Sequence, residues 1–417
     1  MTTRLYFTDA YQQKFTATVT AIGTWNDQPS IQLDQSCFYP TSGGQAFDTG
    51  KLAGFHVIEV VADKAGEIHH LLAEKPDGVV LGTTISGQID WPRRYDHMQQ
   101  HSGQHLLSQL FFQELGFETV SVHFGAQEST LDLEIEEISA EQLAKVELLA
   151  NELVYTALPI HAYFVDERKI ADLPLRRPPK VSGTIRIVEI EAFDFSACGG
   201  THCRTTAEVG PIKLIKVERR RGLVRISFLC GKRAYVDYAT KHQLITDAAM
   251  IFSTDTHQVP QLIERNLSQL KEANHRIEEL QFALLAHEAS ALIQNAEAVG
   301  PVRLIQAVYD NKQAGELKTL ATQLQQHDET VALLAAIERG TDADKVTICF
   351  ACSSTVTATS TLNLGAVLRM ALQPVGGKGG GKADFAQGGG ISTGKIDGVI
   401  QSAHEAVSKL LRDELCD

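Results

Sequence analysis

Two short segments of the chain hold four side chains of the kinds that bind metal ions. His101 and His105 are four residues apart in a segment with helical spacing, so both imidazoles project from one face of that helix. Cys198 and His202 form a second pair, and the glycines at 199–200 let the backbone turn tightly between them. Three imidazole nitrogens and one thiolate sulfur suit zinc. The spacing therefore predicts a single Zn2+ site built from both pairs.

A zinc site of this composition is compatible with two roles. Four protein ligands fill a tetrahedron, which is typical of a structural zinc, whereas a catalytic zinc usually leaves one position open. The sequence leaves both roles open, because one ligand can bind weakly and coordination can expand to five. Cys203 adjoins His202 but falls outside the spacing, and we expect it to be a small buried apolar side chain. A zinc peptidase is disfavoured, because no glutamate directly follows His101.

Periodicity and turn residues predict the elements that position these pairs. Apolar residues spaced as on one face of a helix run up to Gly116, which places the histidine pair on a helix. Alternation over 120–136 predicts paired strands, and residues 1 to about 90 are also predicted to be rich in strands. Ser139 and Gln142 fit a capping box that opens a second helix. This part of the chain is therefore expected to be α+β.

The second half of the chain is predicted to begin with helix and to end as a small α/β domain. Residues 236–296 have an almost wholly helical pattern that contains a strict heptad seam with one polar position. Such a seam is typical of a helix packed on its own domain or of a short coiled coil, within one chain or between two copies. Buried strands then alternate with helices, apart from a glycine-rich segment at 376–390 before the last helix. The seam residues are Val259, Ile263, Asn266, Leu270, Ala273, Ile277, Leu280 and Leu284.

Composition and charge exclude several classes of protein. The 417 residues are 43 % hydrophobic and 21 % charged, which is ordinary for a soluble globular protein and rules out a largely disordered chain. No window approaches the ~20 consecutive apolar residues of a membrane span. The first residues lack the pattern of a secretory signal, so we expect a cytoplasmic protein without a membrane partner. Seven cysteines, an odd number, do not make a disulfide scaffold.

One stretch departs from the acidic average of the chain, whose net charge is −13. Between Lys213 and Arg233 there are eight basic residues and one acid, Glu218, which gives a local net charge of +7. A solvated hairpin accounts for such a run, and so does a stripe that binds a phosphate backbone in one place. The run alone slightly favours the hairpin.

Four motifs resemble those of proteins that edit mischarged alanyl-tRNA. Residues 91–108, Trp-Pro-Arg-Arg-Tyr-Asp-His-Met-Gln-Gln-His-Ser-Gly-Gln-His-Leu-Leu-Ser, resemble the opening of the editing domain of alanyl-tRNA synthetases and are most similar to the free-standing AlaX-type editing proteins. Residues 196–202 resemble that family's second metal motif, and 37–50 resemble the glycine motif of the β-barrel domain before it. Residues 376–390 resemble the glycine-rich motif of the synthetase C-terminal domain. Aminoacylation motifs are absent, so the chain resembles the long form of the editing protein, without synthetase activity.

The resemblance implies an α+β multidomain fold and a hydrolytic activity. The implied reaction is hydrolysis of the ester of misacylated tRNA(Ala), chiefly Ser-tRNA(Ala) and sometimes Gly-tRNA(Ala), by a trans-editing factor. A homodimer through the linker or the C-terminal domain is permitted. The alternative, from another class, is a non-catalytic tRNA-binding protein with a structural zinc. The implied domains are a β-barrel-like domain with the glycine motif (1–90), a zinc-binding editing domain (91–235), a helical linker or coiled coil (236–298) and an α/β tRNA-binding domain (299–417). The implied zinc ligands are His101, His105, Cys198 and His202.

Two residues near the histidine pair are candidates for the chemistry itself. Thr119 falls at a strand start, where the family places a discriminating threonine, and a hydrogen bond to the serine hydroxyl is worth ~1–3 kcal/mol. Gln104 adjoins His105, and its amide could orient a water although it cannot act as a base. A β-turn is the alternative for the glycine motif, a plain exposed helix position is the alternative for Gln104, and ordinary strand positions are the alternative for Thr119, His123 and Thr130. The substrate-binding candidates are Gly43, Gly44, Gln45, Thr119, His123 and Thr130.

The remaining candidates support the ligands or hold the tRNA. Asp96 and His97 are expected to hydrogen-bond the ligating histidines, with surface roles as the alternative. Backbone N–H groups of the glycine-rich segment can approach phosphate, with lysines alongside. The tRNA-binding candidates are Arg93, Arg94, Arg219, Arg220, Arg221, Lys378 and Lys382.

Overall fold

A computed structural model of the chain describes residues 1–179, 182–340 and 344–413. The chain divides into two compact units, Met1–Thr256 and His257–Asp417. The four segments expected from the sequence are therefore grouped in two, with the barrel and the metal-binding segment together in the first unit. Within the described ranges, no helix combines the length and the apolar character needed to cross a membrane.

The first unit begins with short strands, most of which close into a barrel. The strands are β1 (Thr3–Arg4), β2 (Lys14–Trp25), β3 (Gln28–Leu33), β4 (Gln35–Ser36), β5 (Gly50–Leu52), β6 (Phe55–Ala62), β7 (Ile68–Leu72) and β8 (Thr84–Ile89). The barrel order is β2-β3-β7-β6-β5-β8, and β1 pairs separately with β4. Alternate residues of β2, among them Phe15 and Val19, fill the interior, as the period of two along a strand requires. Asn26 and Asp27 both have positive φ, which matches the twist of the two-residue hairpin between β2 and β3.

A long helix after the barrel carries the predicted histidine pair. This helix, α1 (Trp91–Leu115), is capped by Asp90, whose carboxylate accepts a hydrogen bond from the Arg93 N–H. Gly116 ends it with a φ of 72°, in the left-handed region that glycine adopts without strain. The expected capping box at Ser139 and Gln142 is present at the start of the next helix. The following elements are β9 (Thr119–Phe124), β10 (Ser129–Leu133), α2 (Ala140–Thr156), β11 (Ile160–Asp166), β12 (Thr184–Ile190), β13 (Asp194–Ala197), β14 (Ile212–Arg220), β15 (Leu223–Cys230) and α3 (Lys232–Ile251).

Two sheets support α1. The antiparallel sheet β14-β15-β10-β9 packs one face against α1, where Leu107 and Phe111 of the helix meet Phe124 and Leu131 of the strands in one apolar core. The sheet β11-β12-β13 carries the second metal segment, because β13 ends directly before Cys198. The histidine pair therefore lies on a helix and the cysteine segment at the end of a strand.

The second unit is a three-layered α/β domain. Its elements are α4 (Val259–Gln294), β16 (Glu297–Val299), β17 (Val302–Asp310), α5 (Ala314–Gln325), β18 (Thr330–Glu338), β19 (Lys345–Cys352), α6 (Ser354–Thr359), α7 (Leu364–Leu372), β20 (Lys378–Gly381), β21 (Phe385–Gly389) and α8 (Ile396–Asp413). The sheet order is β16-β17-β18-β19-β21-β20, and only β17 and β18 pair in parallel, as expected across the α5 crossover. One apolar core joins the sheet to α5 and the end of α4, and another joins it to α7 and α8.

The glycine-rich segment of this unit is a packed hairpin. Strands β20 and β21 pair at the edge of the sheet, and α7 lies against them. A Cβ atom added at Gly365 of α7 would lie 2.4 Å from the carbonyl oxygen of Gly381. The glycines therefore allow close packing of helix on hairpin.

Helix α4 leaves most of its heptad seam in contact with solvent. Every residue from 263 to 284 is exposed, whereas Leu285 and Ala289 are buried in the core shared with α5. Val259, the first residue of the seam, is buried. The face that packs on the domain is therefore a different one from the predicted seam.

Candidate metal site and its surroundings

The fold brings the two predicted pairs of ligands together. The nitrogen and sulfur atoms that His101, His105, Cys198 and His202 can offer all lie within 4.8 Å of one another. The Cys198 Sγ atom lies 3.4 Å from Nε2 of His101 and 3.4 Å from Nε2 of His202. The three imidazoles are buried. This cluster of four side chains is called the metal cluster below.

Each imidazole of the metal cluster is held through its Nδ1 atom. His101 Nδ1 lies 2.9 Å from Oε1 of Gln45, and His105 Nδ1 lies 2.9 Å from Oδ2 of Asp194. His202 Nδ1 lies 3.3 Å from Oγ of Ser102, which also accepts a hydrogen bond from a backbone N–H. When Nδ1 donates, Nε2 is left without a proton and can bind an ion. The arrangement therefore fits a divalent metal.

Electrostatics around Cys198 favour the ligand form of its sulfur. Burial alone raises the pKa of a thiol, but the imidazoles of His101 and His202 lower the pKa of Cys198 well below its ordinary value. A thiolate is the form that binds metal. The Arg186 guanidinium holds the turn by donating from Nη1 to the carbonyl oxygens of Cys198, at 2.8 Å, and Gly200, at 2.9 Å.

Helix α1 lies so close to this turn that position 200 has no room for a side chain, which explains the glycine there. A Cβ atom added there would lie 2.1 Å from Cε1 of His101. Cys203, just beyond the turn, is buried in the core, and burial raises its thiol pKa to about 12. This is the small buried side chain that the spacing predicts.

The expected supporting residues differ from the observed ones. Asp96 forms an ion pair with Arg233, and the shortest distance between them is 2.6 Å. His97 is buried, and neither of its ring nitrogens has a hydrogen-bond partner among the described residues. The expectation that these two residues support the ligands is therefore wrong. Asp194 takes the role for His105 instead, because β13 places it beside α1, a proximity that depends on sheet packing and gives no signal in the linear sequence.

The glycine motif of the barrel joins the metal-binding part of the unit at several points. Gly44 accepts a hydrogen bond from the Phe124 N–H at 3.3 Å, and Gln45 reaches His101. Asp48 forms a fully buried ion pair with Arg94, which is wholly inaccessible to solvent. Arg94 is therefore unavailable to tRNA, and its expected role as a tRNA contact is wrong. Gly43 lies in the turn before these residues with a φ of 57°.

Thr119 and Gln104, the candidates for the chemistry, are joined by a residue that the sequence did not single out. Thr119 Oγ1 donates to Oγ of Ser108 at 2.9 Å, and Gln104 Nε2 donates to the same oxygen at 2.7 Å. Ser108 is fully buried and lies three residues after His105 on α1. The three side chains form a polar network beside the metal cluster.

His123 and Thr130 point away from the metal cluster. They pair across β9 and β10 and therefore share one face of the sheet. Phe124, the next residue of β9, lies on the other face, where its ring centroid is 4.8 Å from that of His101. The structure thus does not bring these two substrate-binding candidates to the metal cluster, because alternation along a strand puts neighbours on opposite faces.

The basic run forms the hairpin of β14 and β15, and acids neutralise much of its charge. Arg219 Nη2 lies 3.3 Å from Glu137, and Arg220 Nη2 lies 4.0 Å from Glu218. Lys213, Arg225 and Arg233 also have acidic partners. This pairing favours the solvated hairpin. Arg221 is exposed and Arg93, on α1, is half-buried. Lys378 and Lys382 are exposed at the glycine hairpin of the second unit.

Two stretches of the chain match known protein families. Residues 185–227 match the family described as the threonyl and alanyl tRNA synthetase second additional domain, and residues 302–409 match the DHHA1 domain.

Three relatives show how far the similarity extends. The alanyl-tRNA editing protein AlaX-M of Methanosarcina barkeri is 34 % identical over 53 % of this chain and 95 % of its own length. The alanyl-tRNA editing protein AlaX-L of Pyrococcus horikoshii is 28 % identical over 93 % of this chain and 94 % of its own length. The alanine–tRNA ligase of Pyrococcus furiosus is 31 % identical over 80 % of this chain, which matches only 37 % of the ligase. In six alanine–tRNA ligases similar to it, this one included, the chain matches 37 % to 45 % of the length.

Proposed function

This chain belongs to the AlaX-type alanyl-tRNA editing proteins, and from that premise we propose that it hydrolyses the ester of misacylated tRNA(Ala) in trans. The observation that carries the proposal is the metal cluster with all three Nδ1 atoms held, beside the network of Thr119, Ser108 and Gln104. An aminoacyl ester is already activated, so a catalyst has to position water and stabilise the developing oxyanion. We place this activity in the cytoplasm.

We propose Zn2+ as the ion, held by His101, His105, Cys198 and His202. Three imidazoles and a thiolate are a donor set that zinc prefers. When bound, the ion supplies a Lewis acid that can polarise an ester carbonyl or a water molecule. The chain's own residues orient the imidazoles through Nδ1 and keep the cluster buried.

Thr119 is proposed to select serine over alanine. Its hydroxyl proton is donated to Ser108, so only the acceptor lone pairs of Thr119 remain for a ligand. The side-chain hydroxyl of serine can donate to such an acceptor, whereas alanine and glycine have no donor there. We therefore rank Ser-tRNA(Ala) above Gly-tRNA(Ala), with a difference of ~1–3 kcal/mol from this hydrogen bond. Gln104 is proposed to orient the attacking water.

The body of the tRNA is proposed to contact exposed basic residues. Lys378 begins strand β20 of the glycine hairpin and Lys382 directly follows it, and both side chains are exposed and can approach phosphate. Arg93 and Arg221 remain candidates in the first unit, whereas the paired Arg219 and Arg220 would have to exchange their acidic partners. The exposed seam of α4 is proposed to join two copies of the chain.

A second candidate function is non-catalytic binding of tRNA with a structural zinc. The observation in its favour is that four protein side chains converge on one point, which is the composition of a closed zinc site.

A deacylation assay separates the two functions. The zinc-loaded protein should release serine from Ser-tRNA(Ala) and should act more slowly on Gly-tRNA(Ala) and Ala-tRNA(Ala), whose amino acids lack the donor for Thr119. His105→Ala and a chelator should each abolish the release, whereas His161→Ala, at an exposed position of β11, should not. Tight, salt-sensitive tRNA binding without release of any amino acid would instead support the second candidate.

A further inference from the structure

One buried amide links the barrel to the metal cluster. Gln45 is wholly inaccessible to solvent, and its Oε1 atom lies 2.9 Å from Nδ1 of His101. The same oxygen accepts a hydrogen bond from the Thr201 N–H at 3.1 Å, and Gln45 Nε2 donates to Thr201 Oγ1 at 2.8 Å. Gln45 therefore contacts both segments that supply ligands.

These bonds determine which end of the amide faces His101. A backbone N–H can meet only an acceptor, so the atom of Gln45 next to Thr201 N must be oxygen. That oxygen also faces His101, whose Nδ1 must then carry the proton. Nε2 of His101 is left with a lone pair directed toward Cys198, whose Sγ atom is 3.4 Å away.

The glycine motif holds Gln45 in place through the backbone. Gly43 and Gly44 have φ values of 57° and 86°, in the left-handed region, and Ser42 and Gln45 exchange two backbone hydrogen bonds of 3.1 and 2.9 Å. A Cβ atom at Gly44 would lie 3.0 Å from the Val122 carbonyl oxygen. The loop of residues 42–45 therefore packs closely against β9.

We propose that Gln45 is a positioning residue that sets the metal affinity of the site by orienting His101. The side chain is buried, and both acceptor sites of its oxygen and one of its N–H groups are already engaged. Gln45 is therefore not placed to contact substrate, although the sequence suggests that role, and it acts through His101. The inference concerns the metal cluster and holds for any substrate.

Zinc affinity of the full chain tests this role, measured by competition with a chromophoric chelator. Gln45→Met keeps the volume but loses the acceptor, and we expect its affinity to fall about 10- to 100-fold. Gln45→Glu keeps an acceptor for His101 and should stay within about threefold of the parent. Gln28→Met, at an exposed position of β3, is the matched control and should bind as the parent does.

Other outcomes decide against the proposal. An unchanged affinity of a folded Gln45→Met would overturn it, as would an equal loss in Gln45→Glu. If Gln45→Met does not fold, Gln45→Asn provides the same test, because its shorter side chain withdraws the oxygen from His101. The absorption of the Co2+-substituted protein gives a second readout, and the Met variant should show an altered band pattern whereas the Glu variant should not.

Activity separates positioning from substrate contact. At saturating zinc, Gln45→Met should recover the parent KM for Ser-tRNA(Ala), while a direct substrate contact would raise KM and leave zinc affinity unchanged. If the parent hydrolyses no aminoacyl-tRNA, the proposed function fails, but the affinity measurements still decide the role of Gln45.

Discussion

At the scale of single residues, the metal cluster depends on which nitrogen of each imidazole carries the proton. Gln45, Asp194 and Ser102 each engage one Nδ1 atom, and they come from three different parts of the first unit. The ligand types and their spacing are enough to predict an ion. The residues that hydrogen-bond the Nδ1 atoms are identified only from the folded structure, because they come from segments distant in sequence.

Ser108 is predicted to control substrate choice through Thr119. Ser108→Ala removes the acceptor for the Thr119 hydroxyl, which is then free to rotate and donate elsewhere. We expect kcat/KM for Ser-tRNA(Ala) to fall about fivefold more than kcat/KM for Gly-tRNA(Ala), or ~1 kcal/mol, because the bond from Gln104 to Ser108 is lost for both substrates. Ser290→Ala, exposed on α4, serves as control. An equal loss on both substrates would contradict the assignment.

A buried histidine in the barrel predicts a loss of stability at mildly acidic pH. His70 donates from Nδ1 to the Ile31 carbonyl oxygen and accepts from Ser36, and burial lowers its pKa to about 4. In the unfolded chain the pKa of His70 is ~6.5. As pH falls from ~6.5 towards 4, the unfolded chain therefore binds a proton at His70 and the folded chain does not. The contribution of His70 to the free energy of unfolding is therefore present above pH ~6.5 and is lost as pH falls towards 4.

The His70 effect is measured as a difference between two proteins. The free energy of unfolding of the parent minus that of His70→Asn should fall by about 2 kcal/mol between pH 7 and pH 5. Denaturant titrations at both pH values give this difference, in which other titrating groups cancel. A gap that stays constant with pH would show that His70 titrates alike in the folded and unfolded chains, against a pKa lowered by burial.

At the scale of elements, strand alternation together with a register shift between Asp132 and Leu133 in the β9–β10 pairing decides which candidates face α1. Thr119 lies at the start of β9 on the side of α1, where it meets Ser108. Thr130 and His123 form a directly opposed pair on the far face of the same sheet. Residue type does not distinguish these positions, because the face depends on the register of the strands.

The exposed seam of α4 predicts self-association. Leu270 is 58 % exposed and Ile277 is 50 % exposed, at the same core position of two successive heptads. Leu270→Glu should convert a dimer to a monomer in sedimentation experiments, because a charge in the seam cannot be desolvated. Ser268→Glu, on the outer face of the helix, should leave the assembly unchanged. A parent protein that sediments as a monomer would refute the coiled coil between copies.

At the scale of the whole molecule, barrel and metal-binding segment are one unit because buried polar contacts join them. The Asp48–Arg94 ion pair and the Gln45 amide connect the glycine motif to α1. Breaking such a buried pair usually costs 3–5 kcal/mol, roughly, since a charge is left uncompensated. The second unit has its own two apolar cores.

Removal of the metal is therefore predicted to affect one unit. Calorimetry of the zinc-loaded protein should show two unfolding transitions, and a chelator should lower only the one that belongs to residues 1–256. A ligand at about 1,000 times its Kd stabilises by ~4 kcal/mol, which corresponds to a shift on the order of 10 °C for a unit of this size. His105→Ala should show the lower midpoint without chelator. A shift of both transitions would contradict a metal confined to the first unit.

The sequence by itself determined the features that depend on near neighbours. The capping box at Ser139, the helix end at Gly116, the hairpin of the basic run and the placement of His101 and His105 on one helix all follow from local spacing. These predictions hold because helix periodicity, caps and tight turns involve residues only a few positions apart.

Only the tertiary structure decided what depends on packing between distant segments. In the folded chain Arg94 is buried against Asp48, Thr130 and His123 face away from the metal cluster, and Asp194 lies beside His105. Most of the seam of α4 is exposed, and basic residues of the β14–β15 hairpin form ion pairs with acidic residues of other elements. The physical reason is that burial, sheet face and charge partner are set by contacts across dozens of residues, which no local pattern encodes.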